Sequence, residues 1–286
     1  MTSTPRPDAA IAIAATGAVG RDRSVGGQVS RRCFEAGSLA LLLTCAMATV
    51  DWCADMAAMG ELPMPGGWSL SMMWTPMCGR AWADLAASFI GMWTVMMMAM
   101  MLPALLPAWW RYRQAGCAAG ARCPGWLAVQ WGVGYFLVWA ALGAAVFVAG
   151  AALAASALRL PMLARAAPLA GAVVVLGAGA LQCSAWKARR LARCRARPGP
   201  IGRGSMVSLA AWRSGLRLGL HCAGSCAGLM AGLLVAGVMD LGAMILLTAA
   251  VGAERLAPPD LRAERVVGAI AIAAGLMMLA AAIGAD

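Results

Sequence analysis

The residues best suited to chemistry are soft metal ligands gathered in one segment of the chain. His221, the only histidine, stands next to Cys222, and Cys226 and Met230 follow at intervals of four residues. In a helix, residues four apart lie one turn above each other, so the two thiols and the thioether would form one column. Imidazole and thiolate ligands suit zinc or copper, and an added thioether favours Cu(I). The alternative is that these small residues line a contact between helices.

A second group of sulfur ligands lies earlier, in the segment GMWTVMMMAMMLPALLP. There, methionines share helical faces at spacings of four, and the members relevant to a metal site are Met96, Met97, Met100 and Met101. Methionine also fills irregular helix contacts, so packing is the alternative interpretation. Cys194, in a basic segment predicted to be cytoplasmic, stays reduced and is a candidate metal ligand, a reactive thiol or a small filler.

The composition identifies an integral membrane protein. Of 286 residues, 62% are hydrophobic and only 12% are charged, and the mean hydropathy is +0.76. Such a chain cannot cover itself with polar surface as a soluble domain does. A span across a hydrocarbon layer of roughly 30 Å needs about 20 apolar residues. The sequence predicts an all-α polytopic bundle of about six transmembrane helices, near residues 36–53, 87–110, 126–156, 168–186, 222–253 and 266–283.

Basic residues are dense before the first predicted span, after the second and after the fourth, and the other loops carry few of them. By the positive-inside rule, the N- and C-termini are cytoplasmic and the loop 54–86 is extracytoplasmic. The formal charge of +11 is therefore a topology signal and does not indicate nucleic-acid binding. The sequence predicts a multi-pass protein of the bacterial inner (plasma) membrane. Contact with anionic lipid head groups is a second interpretation of the basic cluster 187–197.

Three segments outside the plain spans have distinctive compositions. Residues 1–30 are predicted to be a disordered cytoplasmic tail that precedes a transmembrane domain over 31–286. The loop 54–86 is rich in methionine and tryptophan, which indicates either copper capture or an interfacial loop with tryptophans at head-group depth. Residues 206–220 are predicted to be an amphipathic segment on the inner surface. Because the run 222–253 is long for one crossing and short for two, a break near Met239–Gly242 is an alternative.

Three segments resemble, in order, motifs of a bacterial family labelled predicted metal-binding integral membrane proteins, domain-of-unknown-function family 2182. That family shows a W-x2-M-x3-AMM-x-P segment, a YQLTPLK segment followed by C-L-x2-CR, and a C-x-G-C-C-W-x-LM segment followed by GVMN and EK. The matching segments are MWTVMMMAMMLPALLP, LQCSAWKARRLARCR and HCAGSCAGLMAGLLVAGVMDLGAM with VGAERLAP. The resemblance covers most of residues 87–260. It implies a polytopic helical protein that binds metal, some relatives being labelled copper chaperones, and it brings no established reaction.

The resemblance holds at three groups of positions and fails at four. The matching positions are Trp93, Met96, Met100, Met101 and Pro103; Gln182, Lys187, Cys194 and Arg195; and Cys222, Gly224, Cys226, Leu229, Met230 and Met239. Ser225 and Arg190 stand where the family has cysteines, Ala227 where it has tryptophan, and Asp240 where it has asparagine. Two thiols are therefore missing. Either this chain binds metal with fewer sulfurs and recruits His221 and Met230, or the site is lost.

The sequence predicts a membrane protein that binds a soft metal, Cu(I) first and zinc second, for copper handling, transfer or delivery to a copper-protein partner. Membrane lipid is the other predicted partner. The predicted ligands are His221, Cys222, Cys226, Met230, Met96, Met97, Met100, Met101 and Cys194. The alternatives are a metal-free scaffold or assembly subunit, and an ion-coupled transporter that uses Asp240. The sequence shows no nucleophile–base set, phosphate loop or nucleic-acid module, so an enzyme is not predicted.

Overall fold

The structure is a computed structural model that describes residues 7–58, 60–74, 81–195, 207–258 and 261–284. Side chains of the first helix are described from Gln28 onward. The chain divides into two units, Met1–Leu43 and Thr44–Asp286. The first unit is described only as the beginning of the first helix, and all the residues of the candidate site lie in the second.

Helices make up almost all of the described chain. They are α1 (Pro7–Ala58), α2 (Trp82–Ala118), α3 (Pro124–Arg159), α4 (Pro161–Gln182), α5 (Ala185–Arg195), α6 (Val207–Ala236), α7 (Leu241–Leu256) and α8 (Ala263–Gly284). Among the described residues, six helical segments are long and apolar enough to cross a membrane: Gln28–Met56, Trp82–Ala118, Pro124–Arg159, Pro161–Gln182, Ser208–Ala236 and Ala263–Gly284. The predicted all-α polytopic bundle with about six spans is confirmed. Helix α1 begins inside the segment 1–30, to which the sequence analysis assigns a disordered tail.

The predicted loop 54–86 contains a small β hairpin that the sequence analysis did not anticipate. Strands β1 (Glu61–Met64) and β2 (Trp68–Ser71) pair antiparallel, with Met64 opposite Trp68, and a 3-10 turn follows at residues 72–74. The buried side chains of Met64 and Leu70 pack against alanines of α3 and α4. Trp68 Nε1 also donates a hydrogen bond to the carbonyl of Ala164, at 2.8 Å. We call this end of the second unit, where α4 begins, the hairpin end.

The fifth crossing differs from the prediction. Residues 207–220 belong to α6 and run without interruption into Cys222, so they do not form a separate surface segment. The predicted span 222–253 is broken between Ala236, where α6 ends, and Leu241, where α7 begins, in agreement with the alternative of a break near Met239–Gly242. Gly237 has a φ of +117°, which glycine adopts far more readily than other residues. Cys222 thus lies in the middle of a spanning helix, about 22 Å from its start, and not at the mouth of the span.

Helix α7 carries the chain back across the second unit. Just before α7 begins, Met239 lies at the hairpin end, and its Sδ atom is 3.9 Å from Cys53 Sγ. At its far end, Glu254 contacts Gln182, the last residue of α4. We call that opposite end the α5 end, since α5 begins there. Helix α7 therefore connects the two ends, although its 16 residues are fewer than a typical span.

Because α7 crosses from the hairpin end to the α5 end, the last helix, α8, runs in the opposite direction to the one that six crossings alone would give. The backbone of Gly268 approaches Gln182 and Cys183, and the backbone of Gly275 approaches Leu176, so α8 runs antiparallel to α4. It begins at the α5 end and finishes at the hairpin end. The charge distribution predicts that the C-terminus and the loop 54–86 lie on opposite sides of the membrane, whereas the last described residues of α8 lie at the same end as the hairpin.

Candidate metal centre

Helix α6 brings the two predicted thiols together. Cys222 and Cys226 lie one turn apart on the same face, and their exposed fractions are 0% and 1%. Met230, one turn further along, is also buried. We call Cys222 and Cys226 the thiol pair.

Close packing of α3 against α6 adds a tyrosine that the sequence analysis missed. The backbones of Gly215 and Gly219 approach the carbonyls of Trp131 and Tyr135, so the two helices run parallel with little space between them. A larger residue at either glycine would clash with the α3 backbone. This contact places the fully buried Tyr135 beside the pair, and its hydroxyl donates a hydrogen bond to Cys222 Sγ at 2.9 Å. A donor at this position stabilises a metal-bound thiolate and orients its lone pairs.

We expect Tyr135→Phe to weaken copper binding about 10- to 100-fold, which is the usual cost of losing a partner that orients a metal ligand. The measurement is a competition titration of the purified protein with a Cu(I)-specific chelator. Tyr112→Phe is the matched control, because Tyr112 is also buried and stacks on Trp131. Equal affinity in the wild type and Tyr135→Phe would show that the hydroxyl does not act on the metal site.

A third thiol approaches the thiol pair from α5 but stays separated from it by a hydroxyl. Ser225 Oγ lies 3.8 Å from Cys194 Sγ and 3.9 Å from Cys226 Sγ. It also donates to the carbonyl of Cys222 at 2.9 Å. Ser225 is the position at which the resembled family has a cysteine. Burial raises the pKa of the Cys194 thiol, so this thiol is protonated when no metal binds it.

The thiol pair is a two-sulfur arrangement in this structure. Within the described ranges, no group of three or more histidine, cysteine, aspartate or glutamate side chains is arranged to hold a metal ion. Structural zinc is almost always held by four ligands, and soft thiolates bind both Cu(I) and zinc. Two thiols are therefore fewer ligands than a structural zinc site requires.

A buried arginine supplies positive charge next to the sulfurs. The guanidinium of Arg255, near the end of α7, interacts electrostatically with the residues around the pair, namely Cys222, Tyr135, Cys226 and Cys194. Its Nε and Nη2 atoms are buried and have no hydrogen-bond partner in the described part of the chain. A cation held this way compensates negative charge on sulfur in a region with little water.

An ion pair that the sequence analysis did not foresee joins three helices beside the thiol pair. Lys187 Nζ on α5 lies 2.7 Å from both carboxylate oxygens of Glu254 on α7. Gln182 donates from Nε2 to Glu254 Oε1 at 3.1 Å, and Gln182 Oε1 accepts a hydrogen bond from Lys187 Nζ. Arg195 donates to the carbonyl of Glu254. Lys187, Gln182 and Glu254 are each 1% exposed, so Lys187 is not available to lipid head groups, and lipid contact by the arginines of its cluster stays a prediction.

The other predicted ligands lie apart from the thiol pair or have no described contact with it. His221 precedes Cys222 directly, and neighbouring helix positions point in different directions, so its side chain does not share the face of the thiol pair. His221 is half-buried, and its Nδ1 lies 3.5 Å from Arg190 Nη1. Met96, Met97, Met100 and Met101 are buried in α2, and their part in a metal site stays a prediction. Asp240 is exposed and caps α7 by accepting a hydrogen bond from the Ala243 amide at 2.9 Å.

The comparisons with known proteins agree with a copper-related role. A family model described as PpoB2, copper chaperone, matches residues 90–278, which include the thiol pair, Tyr135, Lys187 and Glu254. Comparison with curated proteins finds no match, and comparison with solved structures finds none. The copper-related identity implied by the resemblance is confirmed, although the matching model does not carry the label of family 2182. Since the match covers well over half of the chain, the protein belongs to the PpoB2 copper chaperone family.

Proposed function

We propose that this protein binds Cu(I) between Cys222 and Cys226 and passes it to a copper-protein partner. The observation that carries the proposal is the thiol pair itself, two fully buried sulfurs one helical turn apart with a hydrogen-bond donor on one of them. Soft thiolates select Cu(I), and a site with two ligands has few bonds to break when the metal leaves. Such a site suits delivery better than permanent storage.

The charges around the site also fit Cu(I). Two thiolates and one Cu(I) ion carry a net charge of minus one, which is costly to bury alone. The guanidinium of Arg255 interacts electrostatically with both thiols and provides the opposite charge. A zinc ion with the same two thiolates would be neutral and would gain less from this arginine. We therefore propose Cu(I) as the bound species and zinc as a weak competitor.

The proposed role is binding and transfer without catalysis, in the bacterial inner membrane. The groups around the thiol pair are a phenol and a serine hydroxyl that contact it, and a third thiol and a guanidinium nearby. They can hold and orient a metal ion but do not form a nucleophile with its general base. The ion-coupled transporter is not favoured, because Asp240 is exposed and serves as a helix cap.

Metal analysis of the purified protein tests this proposal. After loading with copper and zinc under reducing conditions, we expect about one copper per wild-type chain and little zinc. The double variant Cys222→Ser/Cys226→Ser is expected to retain no copper. The matched control is Cys117→Ser/Cys123→Ser, which removes two exposed cysteines and should bind as the wild type does. Equal copper in the wild type and the first double variant would exclude the thiol pair, and no copper in either would favour the metal-free scaffold.

A further inference from the structure

A cavity of about 250 Å³ lies beside the thiol pair, between α2, α5, α6 and α7. Its apolar wall comes mainly from α2, with Leu218 of α6 on the other side. The polar part of its lining consists of Cys194 and three arginines, Arg111, Arg195 and Arg255. We call it the arginine cavity. No acidic side chain is among its lining residues in the described ranges, so its charge is strongly positive.

Several N–H groups of these arginines are not used by the protein. The Nε atom of Arg195 and the Nε and Nη2 atoms of Arg255 are buried without a hydrogen-bond partner in the residues that the structure describes. Arg111 Nε is satisfied by the carbonyl of Pro107 at 3.1 Å, which leaves the rest of its guanidinium available to the cavity. Buried donors without partners are rare in proteins, and a bound ion or water is one of the usual reasons for them. Guanidinium groups pair best with carboxylates and phosphates.

The arginine cavity shares residues with the surroundings of the thiol pair. Cys194 lines it, and the Cys194 thiol is separated from the Cys226 thiol only by the Ser225 hydroxyl, at 3.8 and 3.9 Å. Arg255 belongs both to the cavity wall and to the surroundings of the thiol pair. A molecule held by the arginines would therefore have its reactive end close to Cys194 and the pair.

We propose that the arginine cavity binds a small carboxylate-bearing thiol that brings Cu(I) to the thiol pair. This inference rests on the proposed function and adds the chemical class of the copper donor. The arginines hold the carboxylates, and the sulfur end faces Cys194. A cavity of this volume is smaller than typical sites for drug-sized ligands, so it accommodates a donor of a few amino acids at most, or part of one.

The transfer is an exchange of thiolates on a metal whose oxidation state does not change. The donor arrives as Cu(I) bound by two thiolates. Each donor thiolate is replaced in turn by the sulfur of Cys226 or Cys222. The proton of each protein thiol passes to the thiolate that leaves, so two donor thiols are released and the complex keeps a charge of minus one. Cys194 is placed to hold the metal during the exchange, since its sulfur lies between the arginine cavity and the thiol pair.

Copper uptake from two donors tests the proposal. The donors are Cu(I)–glutathione, which carries carboxylates, and Cu(I)–dithiothreitol, which does not. We expect Arg195→Gln to slow uptake from Cu(I)–glutathione about tenfold, as the loss of one charge-assisted interaction predicts, and to leave uptake from Cu(I)–dithiothreitol unchanged. Arg195→Lys keeps the charge and should recover most of the rate. Arg189→Gln is the control, because Arg189 is exposed on the same helix.

Lipid phosphate is a second source of anions, and protein in nanodiscs separates it from the donor. In phosphatidylcholine discs with and without phosphatidylglycerol, we expect equal uptake from Cu(I)–glutathione. Inhibition by phosphatidylglycerol in the wild type but not in Arg195→Gln would assign the arginine cavity to a lipid head group and overturn the proposal. Equal slowing with both donors, or no slowing, would also overturn it. If the wild type retains copper from neither donor, the proposed function itself is wrong.

Discussion

Replacement of Lys187 by methionine is expected to destabilise the protein by about 3–5 kcal/mol, because it leaves Glu254 charged and buried without its cation. Glu254 and Lys187 are each about 1% exposed and lie 2.7 Å apart. Removal of one partner of such a pair costs far more than the pair contributes as a whole. Thermal unfolding in detergent, with ligand-free protein, measures the loss as a lower melting temperature.

A double variant tests whether the loss of stability comes from the unpaired charge of Glu254. The double variant Lys187→Met/Glu254→Met removes both charges at similar volume, and we expect it to recover most of the stability. Arg189→Met, an exposed change on the same helix, should stay within about 0.5 kcal/mol of the wild type. A melting temperature for Lys187→Met equal to that of the Arg189→Met control would show that the ion pair does not hold α5 and α7 together.

The single variant Cys226→Ser is expected to lower Cu(I) affinity by more than about 100-fold, since the loss of a ligand costs more than the loss of an outer partner. Cys194→Ser is the informative comparison. Cys194 lies one hydroxyl away from Cys226, so its removal should cost less than about 10-fold in equilibrium affinity. Competition with a chromophoric Cu(I) chelator gives both values. A larger loss for Cys194→Ser than for Cys226→Ser would move the metal away from the thiol pair and towards α5.

The pattern of apolar residues along the sequence was enough to predict the class of fold and most of its helices. Apolar runs of about 20 residues identify spans whatever the later packing, because the bilayer dictates their length. The pattern also predicted that Cys222 and Cys226 share a helical face, since that follows from a spacing of four. The six long apolar helices and the buried thiol pair agree with these expectations.

The predictions failed where one local sequence pattern is compatible with two different structures. Residues 207–220 carry Arg213 and Arg217 on an exposed face and Gly215 and Gly219 on a buried one. This amphipathic pattern suits a surface helix, but it equally suits the first half of a long span that packs on α3. Only the contact of the two glycines with the α3 backbone decides between them. The break before α7 was predicted only as an alternative for a related reason, because the apolar residues of α7 continue those of α6.

The surroundings of the thiol pair could not be predicted because they come from distant parts of the chain. Tyr135 is 87 positions away from Cys222, and Glu254 is 67 positions away from Lys187. The sequence offered one signal for the ion pair, the acidic Glu254 at the end of an apolar run in VGAERL. That signal indicated a helix end as readily as a buried pair. Long-range packing alone distinguishes the two.

X-ray absorption at the copper edge of the loaded, reduced protein tests most directly whether the thiol pair holds Cu(I). We expect a Cu(I) edge and a first coordination sphere of two sulfur atoms in the wild type, with the same spectrum in Cys117→Ser/Cys123→Ser. In Cys222→Ser/Cys226→Ser the sulfur scattering should disappear together with the bound copper. A first sphere of nitrogen or oxygen in the wild type, or an unchanged sulfur signal in Cys222→Ser/Cys226→Ser, would contradict copper binding by these two residues.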